Sequence, residues 1–227
     1  KRVFIFCFDR NSPIAKLYHQ YNSIRLLENK GVISSAFHSK IKDNKNYKLN
    51  LDLQNNCAFN NCGLMIDGEV EDYDGFPDYQ GPYKHLKHIM FRGLIPESFF
   101  IKDKDLAKWS YAKSAKKILR RKGNFEYMWS EGKIPFPDNL NGPSRTIITS
   151  EGGSSVSRTR HVIKDKKMRY RRLLPIELER LNMFPDNFTL HSSTTDNKRA
   201  FLMGNALVVG IVEKIGTSLS DCLFRLG

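Results

Sequence analysis

The sequence predicts an α+β fold: strand-like and helical segments mixed along the chain, with one strand at the start and one helix at the end. Three observations carry this expectation. Residues 3–8 (VFIFCF) are a continuous apolar, β-branched and aromatic run, the pattern of a strand buried on both faces. In the middle, residues 145–149 form a β-rich run bounded by Pro- and Gly-containing stretches. Near the end, Leu207, Val208, Ile211, Val212, Ile215 and Leu219 fall at helical spacing across residues 206–219, an apolar helix that needs a large surface to cover it.

The bulk properties bound the function. A chain of 227 residues holds one to two compact units, and an apolar content of 40% with 15 Phe and 9 Tyr is that of a folded protein. No apolar run approaches the roughly 18 to 20 residues that span a bilayer, and the first run is too short for a signal peptide, so no membrane partner is expected. That run opens at the third residue with no initiator Met, which reads as a cut start. Four cysteines, Cys7, Cys57, Cys62 and Cys222, are sparse and irregular, which argues for a reducing compartment, the cytoplasm. The net charge of +13 clusters: residues 1–50 carry +7, 51–100 carry −5, 101–150 carry +6 and 151–200 carry +5. Such clustering favours a polyanionic partner over charge that merely solubilises.

Taken in order, Cys7 is expected in the core of the first strand, and residues 12–29 as a helix ended by Gly31. Residues 39–62, rich in Asn and Lys, read as a loop-rich insert. The acidic cluster at residues 67–78 lacks the glycine that a calcium loop needs at its sixth position, so it reads as a solvated, turn-rich loop. Cys57, Cys62, His85 and His88 have near-zinc spacing, yet the stretch between the pairs is long and acidic, and ordinary side chains are the better account. Residues 103–121 read as a helix with Leu106, Trp109, Ala112 and Ile118 on one face and lysines and arginines on the rest. Two readings stay open for its basic face: a solvated surface, or a helix along a phosphate backbone leading into a close-approaching loop at Lys122, Gly123 and Asn124. After the connector at residues 135–143 and the β-rich run comes a Gly-rich loop with hydroxyls, Ser150, Glu151, Gly152, Gly153, Ser154 and Ser155, with Arg158, Arg160 and His161 close behind. Pro175 then suits the first turn of a helix carrying Glu177, Leu178, Leu181 and Phe184, and Pro185 stops it.

At this point the residues resemble one family. RRLLPIELERLNMFPD (171–186) is similar to the ninth motif of the DNA cytosine-5 methyltransferases, and MGNALVV (203–209), followed by a helix to Gly216, to the tenth. KRVFIF (1–6) resembles the back half of the eighth motif, and SRTIITSEGG (144–153) the second recognition loop of the target-recognition domain. Residues 20–100 match no nameable motif, and this is where members of the family differ most.

The resemblance implies a division into residues 1–12, the end of a catalytic-domain strand; 13–190, a small target-recognition domain with a twisted, mainly antiparallel sheet and helices; and 191–227, the tenth motif and C-terminal helix of the catalytic α/β domain. It implies double-stranded DNA as partner and S-adenosyl-L-methionine as cofactor, most of whose site lies in an N-terminal catalytic half outside this chain. Arg2 matches the arginine that contacts the flipped cytosine. Asn205 and Ala206 match cofactor-lining positions, Ala206 standing where serine is common. Recognition loops would lie at residues 122–127 and 149–154, giving Lys122, Asn124, Thr149, Ser150, Gly152, Gly153 and Ser154 as DNA-contacting residues, with Arg158 and Arg160 as base or phosphate contacts. No cysteine here follows a proline as the family's nucleophile does, so the chain alone is expected to be inactive. The catalytic half would join in cis or in trans, and the isolated piece is expected to self-associate through its last helix. The rivals are a separate recognition subunit of a split enzyme, a binding-only DNA module and, last, an RNA-binding surface.

Overall fold

The structure, a computed structural model, describes residues 4–42, 47–49 and 60–224. The chain forms two compact units, one of Lys1–Pro82 with Ile211–Gly227 and the other of Tyr83–Gly210. These boundaries fall elsewhere than residues 12 and 190, where the sequence suggested divisions.

In the first unit, helix α1 (Pro13–Tyr18) starts where the Ser12 hydroxyl accepts from the Ala15 N–H at 3.2 Å, with proline in its first turn. The expected single helix breaks at residues 19–22, where Asn22 restarts it by accepting from the Arg25 N–H at 2.9 Å. Helix α2 (Ser23–Arg25) runs into one π-helical turn (Leu26–Lys30), and α3 (Val32–Ala36) follows Gly31. A Cβ on Gly31 would meet the Leu26 carbonyl at 2.6 Å, so only glycine allows this tight reversal.

Strands β1 (Ser39–Ile41), β2 (Tyr47–Leu49), β3 (Cys62–Ile66), β4 (Glu69–Tyr73) and β5 (Gly75–Pro77) make two antiparallel sheets, β1 with β5 and β2-β4-β3. The loop-rich reading of residues 39–62 is corrected to that extent. The acidic stretch is likewise corrected from a solvated loop to a hairpin and strand. Asp67 and Gly68, with φ of 50° and 85°, form the two-residue turn with both central residues left-handed that suits a twisted hairpin.

The first apolar run is also corrected. Among the described residues 4–8 there is no strand; Ile5 is 81% exposed, and Cys7 is exposed rather than in the core. A strand needs a neighbour for its N–H and C=O groups, and here the rings pack locally instead. Phe6 lies 4.9 Å from Phe8, which meets Tyr18 edge-on at 5.4 Å.

In the second unit, two 3-10 turns (Leu86–Ile89 and Glu97–Phe99) precede helix α4 (Asp103–Lys113). The expected helix to residue 121 ends at Lys113, and the basic run continues as β6 (Lys116–Lys122), paired antiparallel with β7 (Phe125–Glu131). Strands β8 (Val162–Lys164) and β9 (Tyr170–Arg172) form a second hairpin, followed by α5 (Pro175–Leu181) and α6 (Asp196–Asn205). Leu86, Ile89, Ile147, Ile163, Leu173, Leu178, Ala200 and Met203 are the apolar core. Buried polar groups reinforce it. Glu177 accepts from both Arg171 guanidinium nitrogens at 2.7 Å, from the Leu174 N–H at 2.8 Å and from the Phe91 N–H at 2.9 Å.

The apolar helix expected over residues 206–219 is shifted. Helix α6 runs through Asn205, residues 206–208 are non-helical, and α7 (Val209–Phe224) follows, most of its residues lying in the first unit. There the Ser218 hydroxyl donates to the Val32 carbonyl at 2.7 Å, and the Cys222 thiol lies 3.9 Å from the Tyr18 hydroxyl. By length and composition Asp196–Phe224 is apolar enough to cross a membrane. The break divides it, however: the 16 residues of α7 span about 24 Å, short of the roughly 30 Å hydrocarbon layer, and Arg199 in α6 is buried against Glu179 at 2.9 Å.

Candidate nucleic-acid interface

The Gly-rich loop at residues 149–155 is clamped from inside the second unit. Arg172 donates to the carbonyls of Gly152 (2.9 Å), Gly153 (3.1 Å) and Ser98 (2.7 Å). Arg160 donates to the carbonyls of Ser150 (2.7 Å) and Ser155. Both guanidiniums are buried, and burial lowers the pKa of each. Glu151, within the loop, turns inward: its carboxylate takes the His161 N–H at 3.0 Å and faces His161 Nδ1 at 2.9 Å, while His161 Nε2 lies 3.2 Å from the Ser144 hydroxyl. With these carbonyls and the one acid held from below, Thr149, Ser150 and Ser154 are left exposed on the outer side. Gly152 and Gly153 are half-buried, and a Cβ on Gly152 would meet Asn197 Cα of α6 at 2.8 Å.

Arg158 and Arg160, expected at the DNA, are both engaged within the fold. Arg158 reaches the Ala112 and Ser114 carbonyls at 3.3 and 3.0 Å, the Gly132 carbonyl, and Glu131 at 3.2 Å. The buried Lys113 ammonium donates to the carbonyls of Arg158 (3.2 Å) and Arg160 (2.5 Å), and burial pulls its pKa down to about 8. Sequence reasoning missed Lys113, Glu151 and Arg172 as parts of this scaffold, since nothing local marks a charged residue as buried.

Lys122 and Asn124 sit at the tip of the β6–β7 hairpin. Gly123, at φ 63°, and Asn124 join strands of seven residues each, the two-residue turn with glycine first. The strands pair Lys122 with Phe125, Arg120 with Tyr127 and Ile118 with Trp129, so these six side chains share one face. Leu119, Phe125 and Met128 are 61%, 67% and 59% exposed, and Glu126 faces Arg121 at 3.5 Å.

A cleft of about 540 Å³ opens between the start of α4 and the Gly-rich loop, with Lys102, Lys104, Lys108, Ser154 and Arg172 in its lining. Loop, cleft and hairpin thus present hydroxyls, cations and exposed rings within one compact unit.

Asn205 ends α6 with an exposed side chain whose amide donates to the Phe201 carbonyl at 3.2 Å; Ala206 packs against the core. An exposed amide beside the non-helical residues 206–208 suits one polar edge of a cofactor site. Arg2 and Cys57 lie outside the described residues. Among the described residues no cluster of three His, Cys, Asp or Glu side chains suits a metal; His85 and His88 stack on each other, rings 5.6 Å apart. The Cys62 thiol is pushed up in pKa by burial and by Asp72 and Asp74, away from the reactive thiolate.

The chain is 34% identical over 230 residues to the Type II methyltransferase M.Sau3AI of Staphylococcus aureus, covering 96% of this chain and 54% of that protein. It therefore spans about half the length of that relative. Among solved structures, the S. pombe Dnmt2 methyltransferase superposes with a TM-score of 0.46 at 13% identity, covering 69% of this chain and 53% of that one. The Entamoeba histolytica methyltransferase EhMeth does so with a TM-score of 0.44 at 15% identity, covering 85% and 56%. The C-5 cytosine-specific DNA methylase family matches residues 1–221, and the chain belongs to that family.

Proposed function

We propose that this chain is the DNA-recognition part of a DNA (cytosine-5) methyltransferase, which moves a methyl group from S-adenosyl-L-methionine to a cytosine flipped out of a specific duplex sequence. Flipping is required because the reacting carbons are inaccessible inside the base stack. The observation that carries the reading is the clamped Gly-rich loop, its carbonyls and Glu151 held inward and its hydroxyls outward, in the same unit as a protruding basic hairpin. A loop fixed in this way loses little conformational entropy when it meets a groove.

In this reading Thr149, Ser150, Gly152, Gly153 and Ser154 approach the duplex from the loop, and Lys122 and Asn124 from the hairpin tip. Arg158 and Arg160 act as positioning residues that shape the loop and its surroundings. By the resemblance, Arg2 contacts the flipped base, and Asn205 and Ala206 line the cofactor. The nucleophile and most of the cofactor site come from a catalytic part joined in cis or in trans. One observation supports that division of labour: α7 leaves Val212 and Leu223 45% and 51% exposed, an apolar face suited to such a part. Uncovered, the same face favours self-association.

The test is duplex binding by the chain alone across a salt series. Affinity is expected to fall steeply with salt, as phosphate contacts release counterions, and Gly152→Val, which drives a side chain into α6, is expected to weaken binding. A chain with no affinity for duplex DNA would refute the proposal.

A further inference from the structure

This inference rests on the recognition reading above. Most arginines of the second unit already hold a carbonyl or carboxylate inside the fold: Arg171 and Arg199 in the core, and Arg158, Arg160 and Arg172 around the loop. Arg120 differs. It is exposed on β6, it has no carboxylate partner among the described residues, and its guanidinium lies 3.9 Å above the centre of the Trp129 ring. Stacking occupies the flat face of a guanidinium and leaves its N–H edge available, held in a fixed direction. The neighbouring Arg121 has Glu126 at 3.5 Å and projects from the opposite face.

The surroundings favour a base over a phosphate as the target of that edge. Arg120 shares its face with Ile118, Lys122, Phe125, Tyr127 and Trp129, a surface with apolar bulk for base edges and Lys122 for the flanking backbone. A two-stranded ribbon is also the right width for the major groove of B-form DNA, where guanine offers O6 and N7 as paired acceptors to one arginine. We infer that Arg120 is a specificity-determining residue that reads a guanine through the major groove, with Trp129 as its positioning platform.

The experiment selects binding sites from a randomised duplex pool with the wild-type chain, Arg120→Lys and Arg120→Ala; circular dichroism checks that each folds. Wild type is expected to enrich a sequence with guanine at one position. Arg120→Ala is expected to lose the preference at that position alone, by about 5- to 150-fold, the worth of one bidentate pair, and Arg120→Lys, a flexible point charge without the planar fork, to keep only part of it. Replacing that guanine by 7-deazaguanine, which lacks the N7 acceptor, should weaken wild type and leave Arg120→Ala unaffected.

The assignment is overturned if Arg120→Lys keeps the full preference while Arg120→Ala weakens every sequence alike and makes the salt slope shallower by about one unit, the signature of a phosphate contact. A wild-type chain that enriches no sequence overturns the recognition reading itself, and this assignment with it.

Discussion

Gly204, in α6, lies so close to the chain at Thr149 that a Cβ added to it would stand 2.5 Å from Thr149 Cα. The helix that ends in the proposed cofactor-edge residue Asn205 and the base of the proposed recognition loop are therefore packed backbone against backbone. A displacement of one is felt by the other.

Gly204→Ala accordingly has to push the backbone of residues 148 and 149 aside. We expect a loss of about 1–3 kcal/mol in stability, the usual cost of overpacking, together with weaker duplex binding. Denaturant unfolding and a binding titration check both; a variant as stable as wild type would show that the loop yields freely.

Removing the clamp from below is a different perturbation. Arg172→Met keeps much of the side-chain volume but leaves the carbonyls of Ser98, Gly152 and Gly153 without their donor. Each unsatisfied buried acceptor costs about 1–3 kcal/mol where water cannot reach it. Amide hydrogen exchange should rise at residues 149–155 more than in β8 and β9, and a change confined to β9 would contradict the clamp.

How much of this was legible in the sequence depended on whether the signal was local. Pro175 at the head of α5 announced that helix, although the buried partnership of Glu177 with Arg171 and the Phe91 N–H is tertiary and left no local trace. Residues 116–122 misled because Lys, Arg and Leu are good helix formers and their apolar positions fit a helical period as well as a strand. The corrective signal was present in Gly123-Asn124, a two-residue hairpin turn between runs of equal length, and in Asp67-Gly68 for β3 and β4. Arg158 and Arg160 looked like surface cations because the carbonyls that hold them come from distant segments or from the loop's own fold.

Glu177→Gln should be among the most damaging single substitutions. It weakens a fully buried ion pair and leaves the charge of Arg171 uncompensated, at a cost of about 3–5 kcal/mol. Urea unfolding midpoints measure this, and a near-neutral result would mean that the Arg171 charge is satisfied elsewhere.

Lys113 ties stability to pH. Its folded pKa is about 8, against 10.5 as its ordinary value, because burial disfavours the ammonium form. Below about 8 it is protonated whether folded or unfolded, and its contribution is level. Between about 8 and 10.5 the unfolded chain binds more protons, so the Lys113 contribution to stability rises with pH. Wild type minus Lys113→Met, compared by thermal melts at pH 7 and pH 9.5, should show wild type gaining relative to the variant; parallel curves would contradict the buried ammonium.

The central claim, that this chain supplies recognition and another part supplies the chemistry, is tested most directly by methyl transfer from labelled S-adenosyl-L-methionine to mixed-sequence duplex DNA. The chain would be assayed alone and then with an N-terminal catalytic part of the family added in cis. Label incorporated at one recurrent cytosine-containing sequence only in the joined protein is the predicted result. Label incorporated by the chain alone would mean that one of its own cysteines attacks cytosine, and would contradict the account.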